Sequence, residues 1–400
     1  MADVLDQRRR RIAAFGPRRP AAAFGPRRPA AAFGPRRRAE ASDDAVPGPP
    51  RPLTRREGLI SAAFGSWIIF GLFVDGWAHN HQKAETVVTP WHAILYSGFV
   101  VSAWYAISIA RRRRSHDGQS LWEAAPTGHR LVLAGMIVFG FGAVGDMTWH
   151  SLFGVEVSLA ALLSPTHLLL LTGAILVLSG PFRAGWADGR SQAPTLAEFL
   201  PALVSLALVT ALVAFFFQYA TPFRRDNYGT WVTAYTTLVT RFAGAGSGYA
   251  QNIQIVGLTS LLLTNLIYLA PLVLIVRRWR PPFGSATLLF ATVTALVGLI
   301  DTFHRPAPLL AALVAGVLAD VLIRVLRPSP ARPWGAHAMA AATSLALWAT
   351  FFAIYQATYG VGWKPELWAG AIVMATMSAV GVSALVFPPA LPVPEPAAHA

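Results

Sequence analysis

The chain reads as an all-α polytopic transmembrane helix bundle of about ten spans, and three observations predict it. Of its 400 residues, 54% are apolar and only 13% charged. The apolar residues fall in long runs, and ~20 of them in succession let an α-helix cross ~30 Å of hydrocarbon. The short connections between these runs concentrate Arg on alternate sides, the asymmetry that orients membrane helices.

The first 56 residues stand apart. They hold 14 Arg against Asp3, Asp6, Glu40, Asp43 and Asp44, about +9 of the chain's formal +14. AAFGPRRP-type units recur within them at a period of nine, marked by Phe15, Phe24 and Phe33. Pro, Gly and Arg at this density cannot bury a core, so 1–56 is expected to be a disordered cytoplasmic tail lying on anionic lipid. The net charge is therefore no nucleic-acid signal. No apolar core follows the early Arg run, so a cleavable signal peptide is not expected.

Hydropathy places spans near 59–78, 90–110, 128–149, 165–181, 197–220, 250–276, 284–301, 306–326, 335–357 and 366–387. Arg55 and Arg56 precede the first; Arg111 to Arg114 follow the second, and Arg183 and Arg190 the fourth. Arg277, Arg278 and Arg280 follow the sixth, with Arg324, Arg327 and Arg332 after the eighth. All lie on the side of the N-terminus, which the positive-inside rule makes cytoplasmic, and both termini end there. Arg224, Arg225 and Arg241, in the longer 221–249 segment, are the exception. The expected organisation is a tail to 56, a four-helix region at 57–182, further helices at 183–388 and a disordered C-terminal tail at 389–400. An inner (plasma) membrane location follows, with the lipid bilayer as the first partner.

The region 57–182 carries an internal duplication. Asp75, His79, Glu85 and His92 are answered 71 residues on by Asp146, His150 and Glu156, and then by His167. In both copies Asp leads His by four and Glu by ten, and the last His follows a Pro by two (Thr89-Pro90-Trp91-His92, Ser164-Pro165-Thr166-His167). Leu95 and Gly98 are matched by Leu170 and Gly173. The topology gathers every member at the exterior, periplasmic face, because each Asp ends an outgoing helix and each final His begins a returning one.

Residues four apart share a helix face. Asp75 with His79, and Asp146 with His150, can thus address one ion, closed by His92 or His167 from the neighbouring helix. Such two-His, one-carboxylate sets suit copper, zinc and non-haem iron. Cysteine is absent, which excludes thiolate sites and disulfides. A single D-x3-H is more often a capped or solvated helix end; its duplication with matched Glu, Pro and His favours metal. Glu85 and Glu156 are possible extra ligands or ring-nitrogen partners. Asp301 and His304, three apart at the end of the seventh span, form a further candidate pair at the same face. Asp320 is expected to pair with Arg324. His81 reads as a loop histidine.

These residues resemble the C-type membrane subunit of the copper-dependent membrane monooxygenases, the particulate methane and ammonia monooxygenase family. Asp75, His79 and His92 reproduce its D-x3-H-x12-H copper motif. Asp146, His150 and His167 are similar to its second motif, N-x3-H-x13-H, with Asp for Asn and 16 residues between the histidines. The resemblance covers about 75–175 and implies copper at the outer face. Turnover would mean oxidation of a small apolar substrate with O2, with electrons from a partner or a donor such as quinol. A cupredoxin-type partner subunit is implied likewise. The helices after 195 have no counterpart there. The alternatives are a copper or zinc transporter or metal-handling protein, and a non-catalytic accessory subunit. The near absence of polar groups along the inner halves of the spans ranks transport below metal chemistry.

Overall fold

The computed structural model describes residues 52–83, 89–154, 159–189, 191–224 and 248–388. The predicted tail at 389–400 lies outside them, as does the N-terminal one up to residue 51; its last residues, 52–56, lead into the first helix. Every regular element described is helical: α1 (Arg55–Asn80), α2 (Pro90–Arg112), α3 (Leu121–Ala124), α4 (Arg130–Phe153), α5 (Leu159–Leu163), α6 (Pro165–Leu178) and α7 (Gly180–Ala187). They continue as α8 (Leu196–Phe216), α9 (Gly248–Arg278), α10 (Ser285–Ile300), α11 (Ala307–Leu326), α12 (Pro333–Thr358) and α13 (Pro365–Val386). Among the described residues nine helical stretches are long and apolar enough to span a bilayer, α6 and α7 together making one. The tenth, α10, has 16 residues, about 24 Å at 1.5 Å per residue, slightly short of the hydrocarbon core. All-α and polytopic is therefore the fold.

The helix ends show why the motif residues sit where they do. Thr89 and Ser164 are N-caps, and each side chain accepts the backbone N–H of the histidine three residues on, His92 or His167. Pro90 and Pro165 occupy the first helical position, where no N–H is missed. The [Thr/Ser]-Pro-x-His unit is thus a helix start that delivers an imidazole at its third residue. On the other arm of the hairpin, α1 stops with Gln82 at φ 50°, while the N–H groups of Gln82 and Lys83 return to the carbonyls of His79 and Ala78. That turn favours glycine. Gln82→Gly is expected to raise unfolding stability by about 1 kcal/mol, measured by denaturant titration in micelles.

The duplication extends to the packing. α1 crosses α2, and α4 crosses α6, through equivalent glycines. A methyl on Gly71 would lie 2.6 Å from the Leu95 backbone, and one on Gly142 would lie 3.0 Å from the Leu170 backbone. In the returning helices, a methyl on Gly98 would meet Ile68 N at 2.9 Å and one on Gly173 would meet Phe139 N at 2.5 Å. Positions 71 and 142, 68 and 139, 95 and 170, 98 and 173 are the same pairs that the motif alignment matches. Two helical hairpins therefore share one close-approach crossing, one to two turns beneath each Asp. Gly173→Ala is expected to cost about 2 kcal/mol through this backbone clash, while Gly140→Ala, with nothing within 4 Å, is neutral.

The first hairpin is held against the rest of the bundle: α1 packs on α8 and α10, where Gly76 meets the Phe215 ring. The regions expected as 57–182 and 183–388 consequently lie in one compact unit. Its main core is aromatic, with Tyr268, Phe290, Trp348, Phe351 and Tyr355 all fully buried. Polar groups interrupt it. Asn265, 0% exposed, donates to Ala375 O and Ser378 Oγ and accepts from Ser344 Oγ and Trp348 Nε1. The inner reaches of the spans are less bare than the sequence indicated, because uncharged Asn, Ser and Thr satisfy one another between helices.

Asp320 corrects an expectation. It does not pair with Arg324; its carboxylate accepts from Ala286 N, Thr287 N and Thr287 Oγ1 at 3.0, 3.0 and 2.7 Å. α10 begins at Gly284, which has no side chain to cap it. Asp320, on the neighbouring helix, supplies the missing acceptor and its charge meets the positive end of the helix dipole. Arg324 instead lies over the Phe283 ring, 5.4 Å from its centroid.

Candidate metal centre

The second copy of the motif converges. Asp146, His150 and His167 each offer a ligand atom within 4.8 Å of the others, the group of three His or acidic side chains that meets this distance among the described residues. His150 Nε2 lies 3.5 Å from Asp146 Oδ2 and His167 Nε2 lies 3.5 Å from Asp146 Oδ1. Donors 2.0–2.1 Å from a shared tetrahedral ion stand about 3.3 Å from one another. The spacing is therefore that of ligands around an ion and longer than a good N–H···O bond.

Neighbouring groups set the ring nitrogens for this task. His150 Nδ1 lies 3.1 Å from the Gly154 carbonyl, which can only accept, so Nδ1 carries the proton and Nε2 the lone pair. Gly154 terminates α4 at φ 82°, a backbone state that favours glycine and turns its carbonyl back onto the helix. Around His167 the direction is fixed from the carboxylate. Thr166 Oγ1 donates to Asp146 Oδ1 at 2.9 Å. Ser164 Oγ, 3.1 Å from Thr166 Oγ1, then donates to it. Ser164 in turn accepts from His167 Nδ1 at 2.6 Å. His167 too presents a Nε2 lone pair to the cup. Such outer partners orient metal-binding imidazoles generally.

The first copy is organised differently. His92 Nε2 lies 3.1 Å from Asp75 Oδ1, an ion-pair contact without hydrogen-bond geometry, and Asp75, His79 and His92 do not meet as a group of three within 4.8 Å. His79 is exposed whereas His150 is half-buried. Two substitutions account for the difference: Trp91 stands where Thr166 supplies its hydroxyl, and Lys83 stands where Gly154 turns. The sequence ranked the first motif as the stronger; the structure preorganises the second. Both Asp are buried, 9% and 8% exposed. Tyr96, with its ring 6.3 Å from that of His92, lies within electrostatic reach of both carboxylates. Phe99 stacks on Phe139 at 4.4 Å one turn below.

The remaining candidates separate from the cups. Asp301 is bound by Arg224 Nη2 at 3.0 Å and Asn80 Nδ2 at 3.2 Å, so its charge is met by a guanidinium. This pair also explains why Arg224 departs from the positive-inside pattern. His304 is exposed and its N–H returns to the Asp301 carbonyl. His81 stacks on Trp77 and its Nε2 lies 3.3 Å from Thr302 Oγ1. Glu85 and Glu156 lie outside the described residues. Sequence reasoning passed over Ser164, Thr166 and Gly154, although Ser-Pro-Thr-His carried the two hydroxyls in view.

No protein-family model, curated protein or solved structure matches the chain.

Proposed function

We propose that the chain is an integral membrane metalloprotein whose Asp146, His150 and His167 hold a first-row transition ion. The observation that carries this is the convergence of three ligand atoms within 4.8 Å with both histidines tautomerised toward the cup. One carboxylate and two neutral imidazoles leave a net negative charge suited to a divalent cation. Copper is the favoured ion on two grounds: the likeness of both motifs to those of the membrane monooxygenases, and the peak of divalent affinity at Cu(II). A three-ligand set leaves positions open to exogenous molecules. Bound copper would there supply O2-dependent oxidation of a small apolar molecule. The chain's part is to hold the ion, fix the imidazoles through Gly154 and Ser164, and orient the carboxylate through Thr166.

The test is metal content together with spectroscopy. Protein purified from its own membrane is expected to retain copper near one equivalent or more, with nitrogen hyperfine structure in its Cu(II) resonance. Stoichiometric retention of another ion, or none after reconstitution, defeats the copper reading. Oxygen uptake with candidate apolar substrates then tests turnover separately.

In this reading the cups face the exterior. The absence of cysteine makes a clean assay: Ser151→Cys, on an exposed turn of α4, is expected to react with a membrane-impermeant maleimide in intact cells. Labelling only after the membrane is broken would reverse the orientation.

A further inference from the structure

The helices that carry the cups enclose a second polar feature at the opposite end of α4. A cavity with about 20 Å³ of room for a water centre lies there, lined by Ser61, Ser102, Tyr105, His129 and Met136 among others. Its polar groups are unevenly used. His129 is 2% exposed, and its Nε2–H donates to Ala106 O at 3.3 Å, which leaves Nδ1 as an acceptor. Ser102 donates to Gly98 O at 2.8 Å and keeps oxygen lone pairs. Among the described residues no hydrogen bond engages the Ser61 or Tyr105 hydroxyl. Burial holds the His129 imidazole below its ordinary pKa, so it is neutral at pH 7 and Nδ1 remains an acceptor.

Two hydroxyls able to donate and two acceptors around one small void match the bonding capacity of water. Left dry, each orphaned group costs about 1–3 kcal/mol. A void of roughly 10–15 Å³ with two to four polar partners is enough to hold one water. We propose that this cavity is a hydration site, holding an ordered water bonded among His129, Tyr105, Ser102 and Ser61. The site is independent of the metal cups. It places a water against a neutral imidazole at the far end of the same duplicated unit.

Radiolytic hydroxyl-radical labelling tests this, because radicals formed from a bound water oxidise buried side chains beside it. Met136 lines the cavity, whereas Met339 is 0% exposed in the main core. In the full-length protein Met136 is expected to oxidise on the order of tenfold faster than Met339. Ser61→Leu, which extends an apolar side chain towards the void, and Ser102→Val, which removes a partner, are each expected to bring Met136 down towards the Met339 rate. Equal, slow labelling of the two methionines in the unaltered protein overturns the proposal. So does fast Met136 labelling that persists in both variants, since the radicals then arrive from outside.

Discussion

Asp146→Ala is expected to lower metal affinity by about 10²–10³-fold. Four-ligand structural sites bind with roughly 10–16 kcal/mol, or about 2.5–4 kcal/mol per ligand. Asp146 is also the anionic member of the set and the acceptor at the end of the Thr166–Ser164–His167 hydrogen-bond chain. Its loss removes a ligand and releases His167 from its tautomer. Competition with a chelator of known affinity reads the change, and the resonance should lose definition with it. Thr166→Val keeps all three ligands and removes only the hydroxyl, so its penalty is smaller, about 10–100-fold. Asp75→Ala is expected to do less than Asp146→Ala, because Asp75, His79 and His92 do not converge within 4.8 Å and must rearrange before they can share an ion. Unchanged affinity in Asp146→Ala, or a larger loss in Asp75→Ala, would reverse the assignment of the organised cup.

How the cups were legible explains why their ranking was not. The motif spacing located six ligand-type residues, and helix periodicity with Pro at the first position placed them at helix mouths, where they are found. Those are local rules, and the described structure obeys them. The inequality of the copies rests on Thr166 against Trp91 and Gly154 against Lys83, residues that bind no metal and act by orienting those that do. Glycines 71, 98, 142 and 173 were equally silent singly; only their contacts show that the duplicated spacing encodes a duplicated crossing. Asp320 marks the opposite failure. A carboxylate one turn from an arginine on its own helix suggests a local pair, but the uncapped start of α10 lies across the helix interface and offers two backbone N–H groups. Sequence distance could not reveal that competitor.

Asn265→Leu carries the largest expected effect on stability, about 3 kcal/mol. The side chain is fully buried and uses all four of its hydrogen-bonding positions. A residue of similar volume fills the space but accepts nothing, so the Trp348 indole N–H and the Ser344 hydroxyl lose their partner. Orphaned donors cost about 1–3 kcal/mol each, and hydrocarbon offers no water to take the place of Asn265, although single interhelical bonds in membranes average nearer 0.6 kcal/mol. The two scales bracket the estimate. A cycle with Trp348→Phe separates the causes: if the orphaned indole dominates, Trp348→Phe costs less in the Asn265→Leu background than in the parent, because its N–H has already lost its acceptor. Unfolding in micelles by denaturant measures all four corners. An Asn265→Leu protein as stable as its parent would mean that α9, α12 and α13 are held by aromatic packing alone, and that the polar cluster adjusts without cost.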